Sequence, residues 1–367
     1  MRLMVTGGGT GGHIYPAIAL AQEARRLFPD SEILYMGGRG KMESEIVPAE
    51  GIPFTGVTVR SLRKLMSFSS IGTAMSLVKG YTEARNHLSK WRPDVAIGAG
   101  GYVAGASMLA AAHLKIPTLV LAPDSAPGRT NLMISRFAKK VCIWLGDVES
   151  QFPSGKCVRL GLPIRSDIVT DLSKTECRSK FGLANDKFTI LVIGGSQGAQ
   201  SLNEFVLGAL AKLPPDCQIL HQTGPKNLEA VQLAAGKASG GMRNHLPIGY
   251  LQRDQTPIAY GAADIILCRS GVSTLAEAAA NGLPILMVPL PTAYADHQTS
   301  NAKAMEEAGA GKRLVQGDLT VDYLVESIID CKNNPALLAK MGASSKMASR
   351  PNAASDIVIM AREMAGK

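Results

Sequence analysis

Residues 3–17 read LMVTGGGTGGHIYPA and residues 191–199 read LVIGGSQGA. In each, a short apolar run meets a cluster of glycines and then a helical pattern, as where a buried β-strand turns tightly into a helix. Such a turn opens a parallel α/β sheet. Gly8 and Gly194 stand 186 positions apart, about half of the 367-residue chain, so the chain reads as two similar halves.

Working outward, short apolar strands alternate with helical patterns at residues 3–5, 32–36, 94–97, 118–121, 140–143, 189–193, 218–221, 264–268 and 285–288. The alternation predicts two parallel sheets with crossover helices, facing each other across a central cleft. Gly161-Leu162-Pro163-Ile164-Arg165 follows the last strand of the first half, which puts the boundary between domains 1–163 and 164–350. A final helical segment, 351–367, could belong to either domain.

Composition narrows the functional classes. An apolar fraction of 46% with 19% charged residues fits a folded globular protein. The net charge of +9 favours acidic partners. Nucleic acid is not expected among them, since aromatic residues are only 5% and no nucleic-acid motif is visible. Six cysteines without a C-x-x-C pair suggest neither zinc nor a disulfide framework, so the chain reads as cytoplasmic. Residues 95–112 carry no charge, but glycines at 98, 100, 101 and 105 break them into strand, loop and helix rather than a membrane span.

A glycine-rich turn before a helix lets backbone N–H groups approach an anion, so the loops at 7–12, 98–101 and 194–198 are candidate phosphate cradles. The structural alternative is that the glycines only permit tight turns. Gly7-x-Gly9-x-x-Gly12 fits the dinucleotide fingerprint, yet the second strand ends Met36-Gly37-Gly38-Arg39 without the acid that would bind ribose, which argues against a nicotinamide enzyme. His13 follows the first loop, where the positive end of a helix dipole favours the neutral imidazole that a general base requires. Thr274-x-x-Glu277 has the spacing of a capping box; alternatively the Glu277 carboxylate accepts two ribose hydroxyls. Asp296, His297, Gln298 and Asn301 form a polar cluster, expected in a loop ahead of a helix and suited to a sugar.

In this order and spacing, the chain resembles the MurG family of bacterial glycosyltransferases almost end to end. The likeness rests on Gly8-Gly9-Thr10-Gly11-Gly12-His13, Gly100-Gly101-Tyr102, Gly194-Gly195-Ser196-Gln197-Gly198-Ala199, His221-Gln222-Thr223-Gly224, Arg269-Ser270-Gly271 with Glu277, and His297-Gln298 with Asn301-Ala302. The resemblance implies an α/β GT-B fold and inverting transfer of N-acetylglucosamine from UDP-N-acetylglucosamine to a lipid-linked muramoyl-pentapeptide, without metal or other cofactor. Carried over to this chain, it makes His13 the base, with Thr10, Gly11, Gly12 and Tyr102 on the acceptor side. On the donor side it implies Arg165 and Ser196 for phosphate and the Leu251 backbone for uracil. Val272, Ser273, Thr274, Leu275, Ala276 and Glu277 would wrap the nucleoside, with Gln298 and Asn301 near the sugar. Ala122-Pro123-Asp124-Ser125 stands where the family usually has His-Glu-Gln-Asn, and Leu162 replaces a linker asparagine, which keeps another UDP-sugar, another lipid acceptor or a non-catalytic binding protein as alternatives.

A lipid-linked acceptor implies a peripheral protein on the cytoplasmic face of the inner membrane. Residues 60–79 are the candidate contact: Arg60, Arg63, Lys64 and Lys79 are interleaved with apolar side chains and no acid, as an anionic lipid surface would favour. An amphipathic helix packed on the first sheet would show the same pattern.

Overall fold

The computed structural model describes residues 1–59, 70–237 and 244–367. They form two units, Met1–Arg165 together with Pro351–Lys367, and Ser166–Arg350.

The first unit is a seven-stranded parallel sheet of β1 (Arg2–Thr6), β2 (Glu32–Gly38), β3 (Phe54–Val57), β4 (Val95–Gly98), β5 (Thr118–Ala122), β6 (Lys140–Ile143) and β7 (Cys157–Arg159), in the order β3-β2-β1-β4-β5-β6-β7. Its helices are α1 (Gly11–Leu27), α2 (Glu43–Ala49), α3 (Ser70–Trp91), α4 (Gly101–His113) and α5 (Arg129–Ser135). Successive strand residues face opposite layers, so Leu3 and Val5 pack with α1 while Met4 packs with α4. Both faces are covered, which is why β1 is apolar at consecutive positions.

The second unit holds α6 (Lys174–Lys180), β8 (Phe188–Ile193), α7 (Gln200–Ala209), β9 (Cys217–Gln222), α8 (Leu228–Lys237), β10 (His245–Ile248) and α9 (Gln255–Ala262). It continues with β11 (Ile265–Cys268), α10 (Val272–Ala280), β12 (Ile285–Met287), α11 (His297–Glu307), β13 (Gly311–Arg313), α12 (Val321–Asn333) and α13 (Pro335–Ala348). Its parallel sheet runs β10-β9-β8-β11-β12-β13. In each sheet the order reverses beside the strand that leads into a glycine loop, between β1 and β4 and between β8 and β11. Ligands of open α/β sheets bind outside the strand ends at such reversals.

The last helix, α14 (Ala353–Met364), joins the first unit, a point that the sequence leaves open. Ile357, Val358 and Ala361 enter the core beside Ala17 and Leu20 of α1, and the Ser355 hydroxyl donates to Glu23.

Four strands escape the sequence pattern, β3, β7, β10 and β13, and all four are sheet edges. Edge strands are short and need only one buried neighbour, so theirs read FTGV, CVR, HLPI and GKR, with a glycine, charge or proline where an inner strand has an aliphatic residue.

A buried chain of polar side chains joins β9 and β10 to α7. Asn203 Nδ2 donates to the Thr223 carbonyl, its Oδ1 lies 3.0 Å from His221 Nε2, and His221 Nδ1 lies 3.1 Å from His245 Nε2. With the asparagine oxygen as acceptor, His221 donates through Nε2 and accepts through Nδ1, and His245 donates through Nε2. Burial disfavours the imidazolium in both and His245 adds to the effect on His221; His221 is pushed down to about 3 and His245 to about 4. Since the unfolded histidines bind protons near pH 6.5 and the folded ones do not, their stabilisation is complete above that pH and declines towards pH 3–4. The slope approaches about 1.4 kcal/mol per pH unit for each histidine. His245→Gln is therefore expected to flatten the fall of the urea midpoint between pH 7 and pH 5; a slope equal to the native protein's would refute the assignment.

Candidate active site

In the first unit, β1 ends at Thr6 and the chain crosses residues 7–10 before α1 begins at Gly11. His13 is the third residue of α1. Its backbone N–H donates to the Thr10 carbonyl at 3.1 Å, and its Nδ1 lies 3.0 Å from Thr10 Oγ1. The loop after β4 crosses the imidazole. A Cβ added at Gly100 would stand 2.8 Å from His13 Cδ2, and one at Gly101 would stand 2.2 Å from the Gly8 carbonyl oxygen and 3.2 Å from His13 Nδ1. Both glycines also have positive φ, +96° and +79°, so the two loops meet only because neither position carries a side chain. Tyr102 closes the group with its ring against Gly9.

The first glycine loop is not a free anion cradle. Gly9 N–H donates to Glu43 Oε2 at 3.3 Å and Gly38 N–H donates to Oε1 at 2.9 Å, so a buried carboxylate already stands where a phosphate was anticipated. The charge of Glu43 and burial hold the Tyr35 and Tyr102 phenols protonated beyond their ordinary range; burial is the larger cause. In sequence, Glu43 lies five residues beyond β2, too far to read as the acid that closes a second strand.

In the second unit the loops at residues 194–199, 223–224, 269–271 and 288–296 emerge at the same sheet end. Ser196 is exposed on the first of them. Gln222 Nε2 donates to the Gly195 carbonyl and its Oε1 accepts Leu251 N–H, both at 3.0 Å. The Leu251 N–H is thus already engaged, and only its carbonyl side could face a base without displacing Gln222.

Arg269 is buried at the centre of these loops. Its guanidinium donates to the carbonyls of Val288 and Pro289 at 3.0 and 3.2 Å and to Ser201 Oγ at 2.7 Å. Its Nε has no partner, and no carboxylate pairs with it among the described residues. Burial lowers its proton affinity. The Ser270 and Ser273 hydroxyls are also buried without partners, directly before and within the first turn of α10. A buried cation, two unpartnered hydroxyls and a helix N-terminus therefore follow one another in residues 269–273 at the end of β11, groups suited to an anion.

The capping-box reading of Glu277 does not hold. The N-cap of α10 is Gly271 and makes no side-chain cap bond, and Glu277 is the sixth helical residue. Its Oε2 instead accepts the hydroxyl of buried Tyr260 at 2.9 Å. The polar cluster at 296–301 is also not a loop, because α11 begins at His297. Gln298 Oε1 accepts Leu290 N–H at 3.0 Å, which presents its NH2 as a donor. Asn301 is fully buried and donates to the Ser270 carbonyl at 3.3 Å, which ties α11 to the loop after β11. Arg165 is half-buried at the end of the first unit's main segment, and Val272, Leu275 and Ala276 are buried, offering backbone rather than side chains.

The chain matches the glycosyltransferase family 28 N-terminal domain over residues 3–143 and the family 28 C-terminal domain over residues 189–357. It is 36% identical, over 99% of each chain, to the UDP-N-acetylglucosamine--N-acetylmuramyl-(pentapeptide) pyrophosphoryl-undecaprenol N-acetylglucosamine transferase of Bacillus pumilus (strain SAFR-032). It is 35% identical to the transferase of the same name from Bacillus subtilis (strain 168), again over 99% of each. The crystal structure of Acinetobacter baumannii MurG superposes with a TM-score of 0.79 at 29% identity, covering 99% of both chains. With two Rossmann-like units of the GT-B type and relatives of this identity along its whole length, the chain belongs to glycosyltransferase family 28, among the MurG-type transferases.

Proposed function

We propose that this chain transfers N-acetylglucosamine from UDP-N-acetylglucosamine to the muramoyl sugar of an undecaprenyl-pyrophosphoryl-linked pentapeptide, a step of peptidoglycan synthesis. The observation that carries this reading for the donor is Arg269, a buried guanidinium with no carboxylate partner among the described residues, in the loop that leads into the N-terminus of α10. A UDP diphosphate supplies the missing charge. Ser196 adds a contact to it, Glu277 accepts ribose hydroxyls while Tyr260 orients its carboxylate, and the Gln298 NH2 donates to the sugar.

His13 is the base. With Nδ1–H donating to Thr10 Oγ1, the lone pair sits on Nε2 and receives the proton of the acceptor hydroxyl. The hydroxyl oxygen bonds to the anomeric carbon as the carbon–oxygen bond to the β-phosphate breaks. UDP leaves with the electron pair and the configuration inverts. The electrostatic demand falls on the leaving diphosphate, and a cation and dipoles fixed before reaction meet it at little reorganisation cost.

Membrane attachment is through the first unit. No described helix is long and apolar enough to cross a membrane. The part of residues 60–79 that carries most of the basic charge, 60–69, lies outside the described residues, as do the side chains of 70–74. Beyond them α3 exposes Met75, Leu77 and Val78 beside Lys79. The Tyr81 hydroxyl lies 2.8 Å from His113 Nδ1, and the His113 ring packs edge-on to Phe137, which is exposed with Met133, Arg129, Arg136 and Lys139. Apolar and basic groups on one face suit the cytoplasmic leaflet of the inner membrane.

Purified protein given UDP-N-acetylglucosamine and a lipid-linked muramoyl-pentapeptide is expected to form the disaccharide product, and His13→Ala to lose about 10²–10⁴-fold in kcat at unchanged UDP affinity. Turnover by the native protein that survives in His13→Ala would remove His13 as base; UDP binding with no transfer at all would favour a non-catalytic binding protein. For the membrane face, Met75→Glu with Val78→Glu should lower binding to phosphatidylglycerol vesicles at least several-fold, and equal binding would return that face to ordinary surface.

A further inference from the structure

Glu43 begins α2 with a fully buried carboxylate. Its two oxygens take the N–H groups of Gly38 and Gly9, and no cation pairs with it among the described residues. Three glycines shape its cradle: an added Cβ would come within 2.5 Å of Oε1 at Gly8, 2.8 Å of Cγ at Gly37 and 2.8 Å of Oε1 at Gly38. The titratable groups facing it are Tyr35 of β2 and Tyr102 of α4, while Lys41 presents its stem to Gly38. Burying a carboxylate without a counter-ion is costly, and two backbone donors offset only part of that.

What the carboxylate holds is the turn that delivers Thr10 and His13. Gly9 sits in the left-handed region at φ +83°, with Glu43 on its N–H and the Tyr102 ring 2.8 Å from where its Cβ would be. Thr10 follows directly and meets His13 Nδ1. We propose that Glu43 is the positioning residue of His13: by pinning Gly9 it keeps Thr10 Oγ1 on Nδ1, with the hydroxyl as acceptor, so that the imidazole carries its proton on Nδ1 and its lone pair on Nε2. Glu43 is fully buried and acts through Gly9. The inference rests on the transferase reading for its consequence in catalysis, but its structural content is independent of turnover.

The test uses the full chain labelled with 15N-histidine, with the His13 resonance assigned from His13→Gln. In the native protein His13 should show the Nδ1–H tautomer. In Glu43→Gln, which keeps the shape but turns an NH2 towards one of the two N–H donors, the Nε2–H form should appear. Transfer by Glu43→Gln should then fall about tenfold in kcat, with UDP affinity, the KM for donor and the melting temperature essentially unchanged. Combined with Thr10→Val it should lose no more than Thr10→Val alone, because both act on one contact. Should Glu43→Gln fail to fold, Gly8→Ala displaces the same carboxylate with its methyl and should give the same tautomer change. An unaltered His13 tautomer, or losses that multiply with Thr10→Val, would overturn the assignment of Glu43. Absence of transfer by the native protein, with the tautomer shift present, would instead count against the transferase reading.

Discussion

Backbone N–H and C=O groups left over where parallel strands give way to helices must find partners, and the two units supply them with opposite buried charges, a carboxylate that accepts and a guanidinium that donates. In the first unit the anion is built in: Glu43 accepts Gly9 and Gly38 N–H. In the second no described carboxylate fills the corresponding place, and Arg269 holds Val288, Pro289 and Ser201 with its charge uncompensated. A duplicated glycine loop has thereby become two different devices. One is filled by a carboxylate and presents a histidine; the other lies beside a buried guanidinium. Sequence similarity between the loops conceals this, because the deciding residues lie outside them, at 43 and 269.

The clamp made by Arg269 has a further effect, since it ties its own loop after β11 to the loop after β12 and to the first turn of α7. From Pro289 the chain reaches Leu290, whose N–H orients Gln298, and then passes through Ala295 and Asp296, both left-handed at φ 52° without being glycine. Backbone held in that region is strained and persists only where its surroundings insist on it. Here the strain turns the chain sharply into α11, bringing Gln298 to its first turn and Asn301 beneath Ser270. These loops of the second unit are thus held by internal bonds.

Inner strands and glycine turns were legible in the sequence because burial on both faces demands consecutive aliphatic residues, as in residues 3–5 and 189–193. Edges such as GKR at 311–313 were not, since one neighbour suffices there. Local spacing also misled. Thr274 and Glu277 are three apart, as a capping box requires, but the helix starts earlier than Thr274, and the partner of Glu277 is Tyr260, seventeen positions away. Glu43 left no signal by spacing at all: only the fold of β2 back beside β1 brings it under Gly8 and Gly9. Sequence reasoning finds residues whose role is local and misses those whose role depends on a neighbouring strand.

The allocation of charge between the units is tested most directly by locating bound UDP, for example from backbone amide shifts in the 15N-labelled protein. The account predicts that UDP perturbs the amides of Gly195, Ser196 and Gly271 through Thr274 and leaves Gly8 and Gly9 unmoved. Perturbation centred on Gly8 and Gly9, with the loops around Arg269 silent, would contradict it.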